Sequence, residues 1–294
     1  MNQSVHFSPM NRILVGLIGA NIQQSLSPAL HEDAFAAIGM VGHYHLMDVD
    51  VLRGRTLPDL LAAARTAGFA GTNVTFPFKE AVIPLLDQVS DEARQIGAVN
   101  TVVIGKDGRT TGHNTDRSGF RAAFVEAFGQ DAARGKAVLQ LGAGGAGRAV
   151  AFALRDLGVA SLGLYDRDTE RARKLCADIG PCAKPLDAPE PAAANAAGIV
   201  NATPIGMLGH PGLPMTPDAV RAGQFVADVI YTPLETEFVK AAKARGARTM
   251  GGAGMCVHQA ADAFRHFSGK TPDIDRMKRT FAAAAARRSE RGVA

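Results

Sequence analysis

The sequence predicts an α/β protein of two domains: an N-terminal α/β substrate domain and a Rossmann-type domain with a doubly wound parallel sheet. Three observations predict this class. A glycine turn in mid-chain has the spacing G-x-G-x-x-G at Gly142, Gly144 and Gly147. Strand-like and helix-like segments alternate from about residue 117. The 294 residues suffice for two domains of ordinary size.

The segments before the glycine turn indicate a separate first domain. An apolar run over 13–20 predicts a buried strand, and Ser27-Pro28 predicts a helix start with serine as N-cap and proline in the first turn. A second helix is predicted over 58–67 and a strand over 71–76. Asp107-Gly108, between two apolar segments, predicts a β-hairpin.

The segments after residue 117 indicate a parallel sheet followed by two helices. Strands are predicted at 137–143, 161–166, 198–203 and 225–231. Two helices, about 255–267 and 274–288, then end the chain, and we expect this pair to return to the first domain. The predicted domains are 1–115 plus 252–294 for the substrate and 116–251 for the dinucleotide, with a cleft between them.

Composition limits the function classes. The net charge of +4 is mild, and the basic terminal cluster of Arg287, Arg288 and Arg291 has no interleaved aromatic residues. We interpret that cluster as a solvated helix end and expect no nucleic-acid partner. No apolar run has the length of a membrane span, so no membrane partner is expected. Three cysteines without metal-ligand spacing favour a cytoplasmic protein without a metal site. The oligomeric state is expected to be monomer or homodimer.

The glycine turn predicts which dinucleotide binds. An apolar strand enters it and a helix leaves it, so a pyrophosphate can lie at the helix N-terminus. The next apolar run ends in Asp166, where a carboxylate accepts two ribose hydroxyls and repels a 2′-phosphate. Two unit charges 4 Å apart interact by roughly 4 kcal/mol at a dielectric constant of 20. Arg167 opposes this effect, and Arg171 lies one helical turn further on. We predict NAD, with NADP used less efficiently.

Two polar clusters outside the dinucleotide domain are candidates for chemistry. Lys79 follows the predicted strand over 71–76, and Asp116 follows the second strand of the hairpin. Taken singly, Lys79 is an ordinary surface lysine, Asp116 a helix N-cap, and Ser25 and Ser27 turn and cap residues. Together they supply a cation, a carboxylate and hydroxyls. That set suits a small polyhydroxylated substrate with a proton acceptor beside the carbon that gives up hydride.

The ordered motifs of the chain resemble those of the shikimate/quinate dehydrogenases. They are Gly16-Leu17-Ile18-Gly19 and the segments at 25–28, 73–79, 97–101, 114–116, 142–147, 201–207, 231–236 and 254–259. The resemblance extends from about residue 13 to 281 and is closest to the NAD-dependent quinate/shikimate branch. It implies reversible oxidation of the C3 ring hydroxyl of quinate or shikimate. Gln23-Gln24 stands where many relatives have a histidine, which leaves the preference between the two substrates open.

The resemblance also implies roles for individual residues. Lys79 and Asp116 become the catalytic pair, and we expect them to share the hydroxyl proton as hydride leaves. The implied substrate-binding residues are Ser25, Ser27, Thr75, Lys79, Asn100, Asp116, Tyr231 and Gln259. The implied cofactor-binding residues are Gly142, Ala143, Gly144, Gly145, Ala146, Gly147, Asp166, Arg167, Arg171, Thr203, Pro204, Met207, Val229, Gly252 and Met255. The alternatives are an NADP-dependent biosynthetic shikimate dehydrogenase and a non-enzymatic NAD-binding regulator on the same fold.

Overall fold

Two six-stranded sheets frame the computed structural model, which describes residues 11–290. The strands of the first sheet are β1 (Arg12–Gly19), β2 (Val41–Asp48), β3 (Gly71–Val74), β4 (Gln88–Val89), β5 (Thr101–Ile104) and β6 (Thr110–His113). Their order is β2-β1-β3-β5-β6-β4. The sheet is mixed, because β2, β1 and β3 are parallel, whereas β5 pairs antiparallel with both β3 and β6.

The second sheet has only parallel pairs. Its strands are β7 (Ala137–Leu141), β8 (Ser161–Tyr165), β9 (Ala183–Pro185), β10 (Gly198–Asn201), β11 (Phe225–Asp228) and β12 (Arg248–Met250). They lie in the order β12-β11-β10-β7-β8-β9, so the direction of winding reverses between β7 and β10. Ligands of doubly wound sheets bind at such a switch point. The predicted fold class is therefore confirmed.

The helices connect the strands and cover the sheets. They are α1 (Ser27–Ala37), α2 (Leu57–Thr66), α3 (Asp91–Ile96), α4 (Asp116–Phe128), α5 (Gly145–Asp156), α6 (Thr169–Ile179), α7 (Glu190–Ala193), α8 (Glu237–Ala244), α9 (Ala253–Ser268) and α10 (Ile274–Glu290). No helix within residues 11–290 is long and apolar enough to cross a membrane.

The predicted N-cap of α1 is wrong. Leu26 occupies the N-cap position with helical backbone angles, and its side chain caps nothing. Ser27 is already the first helical residue, and its backbone N–H donates to Ser25 Oγ at 3.2 Å. The loop residue before the helix therefore satisfies this N–H group, and the Ser27 hydroxyl is free of capping.

The C-terminal helix pair packs on the first sheet, as predicted. Val15 of β1 and Phe35 of α1 share one buried core with Phe264 of α9 and Phe281 of α10. The rings of Phe35 and Phe264 lie 4.7 Å apart. At the rim, Arg276 of α10 donates to both carboxylate oxygens of a residue in α1 at 2.7 and 2.8 Å. The end of the chain thus completes the domain in which it begins.

A buried arginine joins the two halves of the molecule. Arg148 of α5 is 9% exposed, donates to the carbonyl oxygen of Ile96 in α3, and pairs with Asp178 of α6 at 2.7 Å. Gly97 ends α3 with a φ of 72°, and a Cβ there would lie 3.2 Å from the guanidinium. Arg148 therefore fixes α5, which begins at the glycine turn, against the first domain.

Candidate active site

Lys79 and Asp116 form an ion pair that is largely shielded from water. Lys79 Nζ lies 2.6 Å from Asp116 Oδ2, and the two side chains are 17% and 8% exposed. Lys79 is on the loop after β3, and Asp116 is the first residue of α4, where Thr115 takes the N-cap position. The simpler interpretations, a free surface lysine and a helix cap, are therefore both wrong. A cation and a carboxylate in contact can hold and release a proton between them.

Backbone and amide groups hold both members of this pair. The Asp116 N–H donates to Asn114 Oδ1 at 3.1 Å, and the Thr115 N–H donates to Asn100 Oδ1 at 2.8 Å. The Lys79 carbonyl accepts the N–H of the residue before Asn100, also at 2.8 Å. The loops after β3, before β5 and after β6 are thus joined where the pair lies. Asn100 is itself buried, so its amide is fixed beside the pair.

Gln259 and Thr75 lie at the edges of the same network. Thr115 Oγ1 is 3.5 Å from Gln259 Oε1, and Gln259 Nε2 donates to the Cys256 carbonyl at 3.0 Å. Thr75 continues β3, because its N–H donates to the carbonyl of Ile18 in β1 at 3.0 Å. Gln259 and Thr75 are both half-buried, so their polar ends can meet a ligand.

The predicted carboxylate-binding serines lie where β1 leads into α1. Both are half-buried. Ser27 is close to the phenol of Tyr44, which donates to Asn73 Oδ1 at 2.9 Å. Burial raises the pKa of Tyr44, and Ser27 opposes that rise. The Tyr44 phenol, which its hydrogen bond to Asn73 holds in place, thus supports Ser27.

Tyr231 approaches this region from the loop after β11. Its ring packs edge-on against Phe281, with centroids 6.1 Å apart. Burial raises the pKa of Tyr231, the nearby Asp116 carboxylate adds to the rise, and Arg288 opposes it. The charges of Asp116 and of Arg288 in α10 therefore both act on the Tyr231 phenol.

Arg288 contradicts the interpretation of the basic terminal cluster as a solvated helix end. Its Nη1 donates to the Gln24 carbonyl at 3.0 Å, and its Nη2 donates to Thr232 Oγ1 at 2.8 Å. Arg287 is exposed, as predicted, and Arg291 lies outside the described residues. Arg288 differs from Arg287 because it continues the buried face of α10 that includes Phe281, seven residues earlier.

Each glycine of the G-x-G-x-x-G turn meets a different steric requirement. Gly142 has a φ of 95°, and a Cβ there would lie 2.7 Å from the Ala202 carbonyl oxygen of the loop after β10. At Gly147 a Cβ would overlap the Gly142 carbonyl oxygen, which Gln140 Nε2 holds at 2.8 Å. At Gly144 a Cβ would meet no atom within 4 Å. A tight turn, open space beside the backbone and close helix packing, in that order, fit a bound pyrophosphate.

The glycine turn also faces the ion pair. A Cβ at Gly145 would lie 3.5 Å from Lys79 Cδ. Gly145 is the first residue of α5, whose unpaired N–H groups favour an anion. A dinucleotide on this turn would therefore lie beside Lys79.

Asp166 lies at the end of β8, as predicted. Its Oδ2 accepts the Ala143 N–H at 2.7 Å, and its Oδ1 accepts the Asp168 N–H at 2.9 Å. The carboxylate therefore shapes the glycine turn and keeps lone pairs for a ligand. Arg167 is exposed, and Arg171 lies 3.8 Å from Asp168 across one turn of α6. Neither arginine holds the Asp166 carboxylate.

The remaining candidate cofactor residues lie mostly at the carboxyl edge of the second sheet. Thr203 Oγ1, after β10, donates to Asn201 Oδ1 at 2.7 Å. Val229 follows β11, and at Gly252 a Cβ would overlap the Val229 carbonyl oxygen. Four further residues complete the set: Met255 is buried, Ala146 is half-buried, and Met207 and Pro204 are exposed.

Sequence reasoning missed several residues that build the site. Arg148 and Arg288 join distant segments of the chain by hydrogen bonds from their guanidinium groups. Tyr44, held by Asn73, supports Ser27. Asp48, at the end of β2, accepts Gln23 Nε2 at 3.1 Å and so fixes the residue that departs from the family motif. A carboxylate at a strand end was a signal for Asp48. For Arg288 the signal was its seven-residue spacing from Phe281 on one helix face, but a basic helix end is usually solvated.

The comparisons with known proteins agree with this geometry. Two family models match: the shikimate dehydrogenase substrate-binding domain over residues 17–102, and the shikimate 5′-dehydrogenase C-terminal domain over residues 252–280. The NAD(+) quinate/shikimate dehydrogenase of Corynebacterium efficiens is 48% identical over 92% of this chain and 97% of its own length. The NADP(+) shikimate dehydrogenase of Streptomyces avermitilis is 46% identical over 90% and 93%.

A solved structure agrees as well. Quinate dehydrogenase from Corynebacterium glutamicum in complex with NAD matches with a TM-score of 0.87 and 45% identity, over 93% of this chain and 100% of that one. Sequence, fold and the arrangement of the paired lysine and aspartate beside a glycine turn lead to one conclusion. This chain belongs to the shikimate/quinate dehydrogenase family.

Proposed function

We propose that this protein catalyses the reversible, NAD-dependent oxidation of the C3 ring hydroxyl of quinate or shikimate. The observation that carries the proposal is the Lys79–Asp116 pair at 2.6 Å, with Lys79 against Gly145 of the glycine turn. A proton-holding pair beside a dinucleotide turn suits the dehydrogenation of an alcohol, which loses a hydride from carbon and a proton from oxygen. Relatives named quinate/shikimate dehydrogenase (NAD(+)) support this substrate class.

The catalytic roles belong to the ion pair. Bound NAD supplies the acceptor for the hydride. Lys79 and Asp116 both hydrogen-bond the reacting hydroxyl and take up its proton as the C–O bond becomes a carbonyl. Because the two groups are in contact, the proton belongs to the pair rather than to either residue. The surrounding amides of Asn100 and Asn114 keep the pair in place.

The half-buried hydroxyls and amides around the pair hold the substrate. In this proposal Ser25, Ser27 and Tyr231 bind the carboxylate, and Thr75, Asn100 and Gln259 bind the ring hydroxyls together with the catalytic pair. Fixed hydrogen-bonding groups reject an analogue that leaves them unpaired. Gln23 is held by Asp48 near the serines, so its position bears on whether the extra C1 hydroxyl of quinate is accepted.

NAD is the preferred cofactor because of Asp166. Its carboxylate lies beside the glycine turn and would repel the 2′-phosphate of NADP, which carries about −1.5 to −2 charges as other phosphomonoesters do. Exposed Arg167 partly offsets that repulsion, so NADP is still used, but less efficiently than NAD. In this proposal Thr203, Met207 and Val229 line the path of the cofactor, and Gly252 and Met255 lie nearest the nicotinamide.

The organisation of the chain completes the proposal. We place the substrate domain at 1–115 plus 252–294 and the dinucleotide domain at 116–251. Helix α4 begins at the first boundary and packs on both α9 and α5. A cytoplasmic location and a monomeric or homodimeric state also remain predictions.

A two-by-two kinetic matrix tests the function: quinate and shikimate, each with NAD and NADP, followed at the absorbance of the reduced nicotinamide. We expect turnover with NAD, and kcat/KM about 10- to 100-fold lower with NADP. Equal efficiency with both cofactors would favour the NADP-dependent biosynthetic enzyme. If NAD binds but no combination turns over, the non-enzymatic regulator is the better interpretation.

A further inference from the structure

The last described turn of α10 places the guanidinium of Arg288 against two loops of the candidate site. Its buried face includes Phe281, Ala284 and Ala285 and continues, two turns after Phe281, to Arg288. Arg288 donates to the carbonyl of Gln24, in the loop after β1, and to the hydroxyl of Thr232, in the loop after β11. One side chain therefore contacts the loops that follow a strand of each sheet.

Both partners of Arg288 adjoin residues assigned to the substrate carboxylate. Gln24 precedes Ser25, and Thr232 follows Tyr231. The charges of Arg288 and of the Asp116 carboxylate both act on the Tyr231 phenol. The guanidinium thus lies against the two loops that carry Ser25 and Tyr231.

The neutral side chains at this end can hydrogen-bond a carboxylate but cannot balance its charge. Ser25, Ser27 and Tyr231 carry hydroxyls only, and Lys79 is already in contact with Asp116. A guanidinium has five N–H donors, and among the described side chains and backbone groups Arg288 uses two of them, for the Gln24 carbonyl and the Thr232 hydroxyl. Hydrogen bonds from a guanidinium to a carboxylate are charge-assisted and stronger than those from hydroxyls.

We propose that Arg288 is a specificity-determining residue that recognises the carboxylate of the substrate and so selects anionic ring alcohols over neutral ones. This inference rests on the proposed function, since it assumes that Ser25 and Tyr231 adjoin the substrate carboxylate. The cation comes from the last described turn of the chain, so the C-terminal helix contributes to substrate selection as well as to packing.

The test compares an acid with its neutral ester. Quinate and quinate methyl ester are titrated into wild type, Arg288→Gln, Arg288→Lys and Arg287→Gln by calorimetry, and KM and kcat are measured with saturating NAD. Arg287→Gln is the matched control, because it removes the same charge from the exposed neighbouring position. Thermal unfolding of each variant checks that α10 remains docked.

We expect Arg288→Gln to raise the Kd and KM for quinate about 10- to 100-fold while the values for the ester change less than about threefold. Arg288→Lys should recover part of the loss, and Arg287→Gln should match wild type. Equal losses for acid and ester would make Arg288 a structural link between the loops and overturn the proposal, as would an unchanged preference for the acid. Wild-type protein that binds quinate without oxidising it would instead refute the proposed function.

Discussion

Replacement of Asp166 by asparagine tests the electrostatic basis of cofactor choice. The two carboxylate oxygens accept the backbone N–H groups of Ala143 and Asp168 at 2.7 and 2.9 Å. Asparagine keeps the shape and one acceptor oxygen, loses one of these hydrogen bonds and removes the charge. Loss of one hydrogen bond costs about 1 kcal/mol and loosens the glycine turn for both cofactors alike.

The loss of charge affects the two cofactors differently. A carboxylate 4 Å from a unit negative charge costs roughly 4 kcal/mol at a dielectric constant of 20. Asp166 is half-buried and its charge is partly satisfied by the two N–H groups, so we reduce this to about 1.4 to 2.8 kcal/mol. The ratio of kcat/KM for NAD to kcat/KM for NADP should therefore fall about 10- to 100-fold.

The assay is the initial rate of quinate oxidation over a range of each cofactor, in wild type, Asp166→Asn and Asp131→Asn. Asp131 is exposed, and Asp131→Asn removes the same charge at a different place, so this variant should keep the wild-type ratio of the two efficiencies. If the ratio in Asp166→Asn stays within about twofold of wild type, while both efficiencies fall together, Asp166 acts only on the shape of the turn and the charge explanation is refuted.

The structure makes further predictions for stability and cofactor binding. Arg148→Ala should lower the free energy of unfolding, measured in urea, by about 1 to 3 kcal/mol, because it leaves the buried carbonyl oxygen of Ile96 without its donor. The exposed Arg134→Ala should change it by less than about 0.5 kcal/mol, and equal effects would contradict the bridging role. Burial lowers the pKa of His31 in the folded protein to about 3. As the pH falls below about 6.5, His31 is protonated in the unfolded chain but not in the folded protein, so the free energy of unfolding falls. Between pH 7.5 and 5, His31 accounts for a decline of about 2 kcal/mol in the free energy of unfolding, and this part of the decline should be absent in His31→Leu. An equal decline in both proteins would show that other groups are responsible. Gly144→Ala should leave the Tm unchanged but raise the Kd for NAD at least about tenfold, because its Cβ would occupy the open space beside the turn. Gly147→Ala should lower stability by about 1 to 3 kcal/mol, because its Cβ overlaps the backbone of the turn, and equal Tm values for the two variants would contradict this division.

Local patterns predicted four of the six strands of the second sheet; they missed β9 and β12, which have three residues each. The apolar runs before Gly142 and Asp166 are short parallel strands, and the glycine spacing reflects the close contact between Gly147 and the Gly142 carbonyl oxygen. The predicted strands extended past the observed ends because the carboxyl-edge loops continue the apolar pattern. At these strand ends the chain leaves the sheet and forms the loops of the candidate site; β10, for example, ends at Asn201.

The first domain and the substrate site depend on contacts that no local pattern contains. Lys79 and Asp116 are 37 residues apart, and each alone has an ordinary interpretation. Only the resemblance to a family joined them before the structure did. Arg288 contacts a residue 264 positions away, and although its spacing from Phe281 puts it on the buried face of α10, nothing near it in the sequence indicates that partner. Such pairs follow from the return of the terminal helices to the first sheet.

The central claim is that Lys79 and Asp116 share the proton of the reaction. The most direct test is kcat/KM for quinate with NAD in the Lys79→Ala/Asp116→Asn double variant, measured beside the two single variants. We predict that each single variant loses about 10²- to 10⁴-fold and that the double variant loses no more than the worse single one, because the two residues act as a unit. Losses that multiply in the double variant, or near-normal turnover in Lys79→Ala, would contradict the claim.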